Sequence, residues 1–130
     1  MMTDTHDPPD RPFVVVIAED EKALRAIAVR VLNDEGFTAI EAEHATAALN
    51  ICESQADEID VLFTDVHMPG PVNGVELAHR VCEQWPWISV VITSGHLQVS
   101  RSELPKGARF LAKPYRLQQV VDLFRELRQS

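Results

Sequence analysis

The sequence predicts an α/β fold, a doubly wound five-stranded parallel sheet with five helices. Two observations carry this reading. Five short apolar runs alternate with longer helical segments, the fourth of them irregular, through short connections, which is the pattern of repeated βα units. Several of the runs are apolar at consecutive positions, as suits strands covered on both faces.

The first strand is Phe13-Val14-Val15-Val16-Ile17-Ala18. Asp20 and Glu21 open the helix that follows, where carboxylates favour the helix dipole. Leu24, Ile27, Ala28, Val31 and Leu32 give that helix an apolar stripe at 3-and-4 spacing, and Gly36 stops it. Phe37 to Ala42 is the second strand, and Ala45, Ala48, Leu49 and Cys52 mark the second helix. The third strand, Ile59 to Thr64, runs straight into Asp65. The proline- and glycine-rich loop from Met68 to Gly74 leads to a helix bearing Val75, Ala78, Val81 and Cys82. Trp85-Pro86-Trp87 breaks the chain before the fourth strand, Ile88 to Thr93. A short irregular helix ending near Pro105 precedes the fifth strand, Arg109 to Ala112. The last helix is lined by Leu117, Val120, Val121, Phe124 and Leu127, with Leu123 off that stripe as a candidate contact for a partner or a second copy.

The 130 residues fit one domain, spanning 13–130, behind an acidic, proline-rich tail of residues 1–12 that reads as disordered. That start is unlike a secretion signal, and no apolar run approaches the roughly 20 residues of a membrane span, so the expected setting is cytoplasmic with no membrane partner. A formal charge of −8 repels polyanions and disfavours nucleic acid as a partner. Cys52 and Cys82 lie in apolar helical patterns and read as reduced, buried thiols rather than as a disulfide or a metal site.

In open parallel sheets the ligand sits beyond the carboxyl ends of the strands. There the sequence places Glu19, Asp20 and Glu21 after strand one, Asp65 after strand three, Thr93-Ser94-Gly95 after strand four and Lys113-Pro114 after strand five. If strands one and three are neighbours, three carboxylates converge, and like charges so close need a counter-charge. Lys113 supplies one unit, and a divalent ion on oxygen ligands, Mg²⁺ rather than Zn²⁺, supplies the rest. A carboxylate can then attack phosphorus while cations absorb charge on the phosphoryl oxygens, and positioning with charge neutralisation is nearly all that phosphoryl transfer requires.

Four segments, V-V-V-I-A-E-D-E, L-F-T-D-V-H-M-P-G, V-V-I-T-S-G and F-L-A-K-P, resemble in order the signature segments of response-regulator receiver domains, the CheY-like family of two-component signalling. The resemblance covers residues 13–128 and implies a flavodoxin-like strand order 2-1-3-4-5. It implies Asp65 as phosphoacceptor, Asp20 as a direct Mg²⁺ ligand, Glu19 as a ligand through water and the His67 carbonyl as a further ligand. Lys113 matches the lysine that pairs with the phosphoryl group, and its bond to Pro114 is typically cis in the family. Ser94 matches the switch hydroxyl and Phe110 the aromatic that turns inward on activation, while Thr93 is set aside on the ground that strand alternation turns it from Asp65. The His67 imidazole admits two readings, a solvated loop side chain or a group touching the phosphoryl. The Met68–Gly74 loop and the poor helical periodicity before Pro105 depart from the commonest family pattern.

The resemblance implies a receiver that takes phosphate from a sensor histidine kinase or a histidine phosphotransfer protein and signals to a downstream protein, as a monomer or weak homodimer. No output domain follows the last helix, so the sequence reads as a stand-alone regulator, a phosphorelay shuttle or an excised receiver. Such a domain catalyses only its own phosphorylation and dephosphorylation and is not otherwise an enzyme. Two rivals are a receiver-shaped scaffold that takes no phosphate and an aspartate-based phosphatase. The latter wants D-x-D after a strand, where this chain has Asp65-Val66-His67.

Overall fold

Val14–Ala18 form β1, buried along its whole length. In the computed structural model, which describes residues 11–95 and 101–129, β1 lies near the centre of a five-stranded parallel sheet of order β2-β1-β3-β4-β5. The other strands are β2 (Thr38–Ala42), β3 (Val61–Asp65), β4 (Ser89–Ser94) and β5 (Arg109–Ala112). The helices are α1 (Lys22–Asp34), α2 (Ala45–Gln55), α3 (Gly74–Gln84) and α4 (Leu117–Gln129).

Strand alternation divides the core between the two faces. Val15, Ile17, Phe63 and Val91 pack with Ala28 and Leu32 of α1 and with Val120, Val121 and Phe124 of α4. Val16, Leu62, Val90 and Ile92 meet Ala48, Leu49 and Cys52 of α2 and Leu77, Ala78 and Val81 of α3. Each fully buried aliphatic or Phe side chain contributes about 1.5–3 kcal/mol relative to exposure. Phe13, Phe37, Phe124, Phe63 and Tyr115 form a chain of edge-to-face ring contacts through the first face, with centroids 5.6–6.1 Å apart. That chain ties the lower edge of the sheet to the loop after β5.

Helix ends follow local chemistry. Asn73 caps α3, its side chain accepting from the Glu76 N–H at 2.9 Å, and His44 caps α2 through Nδ1, which accepts from the Ala47 N–H at 3.0 Å. Gly36, at φ +94°, takes the left-handed turn that ends α1.

Four expectations change. Among the described residues there are four α-helices rather than five. Only a 3₁₀ turn, Arg101–Glu103, precedes β5, in the segment that lacked helical periodicity, and residues 96–100 lie outside the description. Leu24 and Ile27 are not core: they are 46% and 52% exposed, because they border a cleft rather than the sheet. Leu123 is half-buried against the core rather than standing clear of it. Arg11, assigned to the tail, is joined to Asp60 at 3.4 Å, and its carbonyl accepts from Arg128 at 3.0 Å. The rest of that tail, residues 1–10, lies outside the described residues.

Candidate functional site

β3 ends on Asp65, which is buried at 8% exposure. Both of its carboxylate oxygens are engaged. Oδ1 accepts from the backbone N–H of His67 at 3.0 Å, and Oδ2 accepts from Lys113 Nζ at 2.5 Å. Lys113 reaches this point because the β4–β5 ladder continues past β5, with Lys113 N–H donating to the Ser94 carbonyl at 3.0 Å. The Lys113–Pro114 peptide is cis. Burial draws the Lys113 ammonium down, but the hydrogen bond and charge of Asp65, with the charge of Glu19, more than reverse this and leave its pKa above the ordinary value.

Glu19 faces Asp65 and Lys113 across the same cleft. Its N–H donates to Ala42 O at 3.1 Å, and its carboxylate accepts from the Glu21 N–H at 2.9 Å. Burial raises the Glu19 pKa, with the charges of Asp65 and Asp20 adding to the rise against the backbone hydrogen bond and Lys113. Asp20 is exposed and opens on a neighbouring cleft beside His67, Met68 and Pro69. Among the described residues no three Asp, Glu, His or Cys side chains are gathered as a metal cage. The expected convergence of three carboxylates is thus divided, since successive residues leaving β1 point to opposite sides. The donor set still suits Mg²⁺, which keeps several waters and takes one or two carboxylates, all with oxygen ligands. The charge balance fits too, as the carboxylates of Asp65 and Glu19 outnumber the single Lys113 cation, with Asp20 adding its charge from beside Glu19.

Ser94 is buried at the end of β4. Thr93 is not turned away from Asp65: the two are register partners, so alternation sends both side chains to one face, and both line the cleft. The register decides this, and the sequence alone did not contain it. Phe110 is half-buried, paired in register with Ile92. His67 has an exposed side chain at the mouth of the Asp20 cleft.

Two features escaped the sequence reading. The cleft beside Asp65, about 460 Å³, has an apolar wall formed by Leu24, Ile27, Phe63, Tyr115 and Leu117 next to its polar end. Gly74 packs on the backbone of Asp65, and its place in a glycine-containing loop was the available signal. Away from the site, both cysteines are free, and burial pushes the Cys52 thiol up to about 11.

An acidic residue closing the third strand, a lysine pairing with it from the fifth and acidic residues after the first make one constellation, and residues 15–125 match the response regulator receiver domain family. The chain belongs to that family. This receiver is 34% identical over 116 residues to the sensor kinase CckA of Brucella abortus (strain 2308), covering 87% of this chain and 12% of that protein. It is 28% identical to the response regulator receiver protein CpdR of the same organism, over 83% of this chain and 90% of CpdR. The chain therefore spans a small part of the kinase and most of CpdR. A response regulator receiver protein from Sinorhizobium medicae WSM419 superposes with a TM-score of 0.83 at 25% identity, over 92% of this chain and 96% of that one. The receiver domain of the hybrid histidine kinase CckA gives 0.72 at 29%, over 89% and 99%. Among the described residues no helix is long and apolar enough to cross a membrane.

Proposed function

We propose that this receiver accepts a phosphoryl group on Asp65 from a histidine kinase or histidine phosphotransfer protein and passes the resulting change of shape to a downstream protein. The observation that carries this reading is the Lys113–Asp65 pair at the end of β3, at the polar end of a cleft that Glu19 also lines. An Asp65 oxygen forms a bond to phosphorus as the P–N bond of phosphohistidine breaks, and the imidazole leaves with the electron pair. Lys113 then faces the new phosphoryl oxygens. Asp20, Asp65, the His67 carbonyl and, through water, Glu19 would hold Mg²⁺, which when bound neutralises charge on the transferred group. The apolar wall at Leu24 and Ile27 supports docking of a protein donor beside Asp65, since exposed apolar surface at a reactive group marks a contact site. Beyond its own phosphorylation and dephosphorylation the domain needs no further catalysis, and the reading carries a cytoplasmic setting with it.

Radiolabelled acetyl phosphate with Mg²⁺ tests the assignment. Wild-type protein takes up label that is lost with chelator, and Asp65→Asn takes up none. Equal labelling of Asp65→Asn would place the acceptor elsewhere.

A further inference from the structure

Arg25 is a charged side chain inside the protein, 8% exposed on the sheet-facing side of α1. A buried guanidinium is costly unless its donors are met, so its partners are informative. Its Nε donates to Glu41 Oε1 at 3.0 Å, and its Nη1 donates to the backbone carbonyl of Glu19 at 2.8 Å. Glu41 is the register partner of Ile17, so the strand pair β1–β2 carries the carboxylate to the face that α1 covers. One planar fork thereby joins β2, α1 and the loop that bears the acidic residues.

The Glu19 peptide is consequently held from every side. Its N–H is bound to Ala42 O, its carboxylate to the Glu21 N–H and its carbonyl to Arg25. The Arg25 bond is the one that comes from a side chain able to be removed without touching an acidic residue. The geometry points to Arg25 as a positioning residue, which fixes the Glu19–Asp20 peptide so that both carboxylates meet Mg²⁺ in a set orientation. It rests on the phosphoacceptor reading above. A lysine cannot replace it fully, because a single ammonium at that depth cannot span a side-chain acceptor on β2 and a main-chain acceptor on the loop with the same planar geometry. Partners that orient ligands typically change metal affinity by about 10–100-fold when removed.

Mg²⁺ is titrated into ¹⁵N-labelled full chain, following the amides of residues 19–21 and 65–67, for the wild type, Asp20→Ala, Arg25→Ala, Arg25→Lys and Glu41→Ala. Leu49→Ala, a truncation in the α2 core, serves as a variant of lowered stability in which the loop is intact. Arg25→Ala should weaken Mg²⁺ about tenfold or more, Arg25→Lys should recover part of the loss, and Leu49→Ala should bind as the wild type does. Glu41 is half-exposed, so Glu41→Ala opens no core cavity and serves as the second variant if Arg25→Ala does not fold; it should weaken Mg²⁺ several-fold by releasing the guanidinium. Wild-type affinity in Arg25→Ala, or in Glu41→Ala and Arg25→Lys together, overturns the role of Arg25 while Asp20→Ala still loses Mg²⁺. Equal weakening in Leu49→Ala also overturns it, because general destabilisation would then explain the effect. If the wild type shows no saturable response, or Asp20→Ala binds normally, the acidic-pocket reading falls and Arg25 with it.

Discussion

A β-carbon added to Gly74 would lie 1.9 Å from the carbonyl oxygen of Asp65. The first residue of α3 therefore rests directly on the backbone of Asp65, the proposed phosphoacceptor, and Gly74 N–H donates to Val66 O at 3.0 Å. No backbone can accept a methyl group at that distance without moving. Gly74→Ala should cost about 1–3 kcal/mol of stability, as overpacking does. It should also slow phosphate uptake by displacing Asp65. Thermal unfolding and acetyl phosphate labelling check both effects, and a variant unchanged in each would show that the contact is readily relieved.

Glu19 predicts a pH dependence. Its folded-state pKa lies above the ordinary value, chiefly through burial, so folding favours the protonated form. Its charge therefore opposes folding at neutral pH, and the penalty begins to fall as pH drops through the raised value and is gone below the ordinary carboxylate value. In Mg²⁺-free buffer Glu19→Gln should melt at least as high as the wild type at pH 7. The two proteins should converge at acid pH, where both carry a neutral side chain. Melting curves across pH 3–8 decide the matter, and a less stable Gln variant at neutrality would reverse the sign argued here.

Leu24 and Ile27 separate stability from docking. Both are about half-exposed, so Leu24→Ser with Ile27→Ser should change stability little, since exposed substitutions usually fall within about 0.5 kcal/mol each. Labelling by acetyl phosphate should persist, while transfer from a phosphorylated histidine protein should slow by about tenfold or more. Equal rates from the protein donor would remove these residues from the docking face.

The phosphoryl group adds roughly −1.5 to −2 charges at pH 7. Lys113, hydrogen-bonded to Asp65, is placed to answer it, and the end of β4 offers two hydroxyls, that of Thr93 in the same cleft and that of Ser94, buried beside it. Phe110 is half-buried, so an inward turn would take more of its ring out of water. Amide spectra with and without beryllofluoride should shift at Ser94, at Phe110 and along α4. A response confined to the neighbours of Asp65 would leave this protein without the switch.

Much of the fold was legible in the residues. Continuous apolar runs such as Val14–Ala18 admit few readings other than strands covered on both faces, and helical spacing in the last helix marks its buried stripe. The region before Pro105 was less legible because it carries no periodicity, and among the described residues it forms only a 3₁₀ turn. Local sequence could also not tell that Leu24 and Ile27 would border a cleft, since an apolar stripe looks the same whether the sheet or solvent lies beneath its first turn.

The sequence by itself determined the strand ends and hence which chemical groups arrive at one edge: Glu19, Asp20, Asp65, Ser94 and Lys113 each follow directly from where an apolar run stops. Only the tertiary structure decided which of them meet. The register pairing Asp65 with Thr93 set the face that both share. The order of strands carried Lys113 from the edge of the sheet to Asp65, and the packing of α1 on β2 brought Arg25 to the Glu19 carbonyl. The reason is physical: strand ends follow from hydrophobic patterning along the chain, whereas distances between residues remote in sequence depend on how the strands and helices pack together.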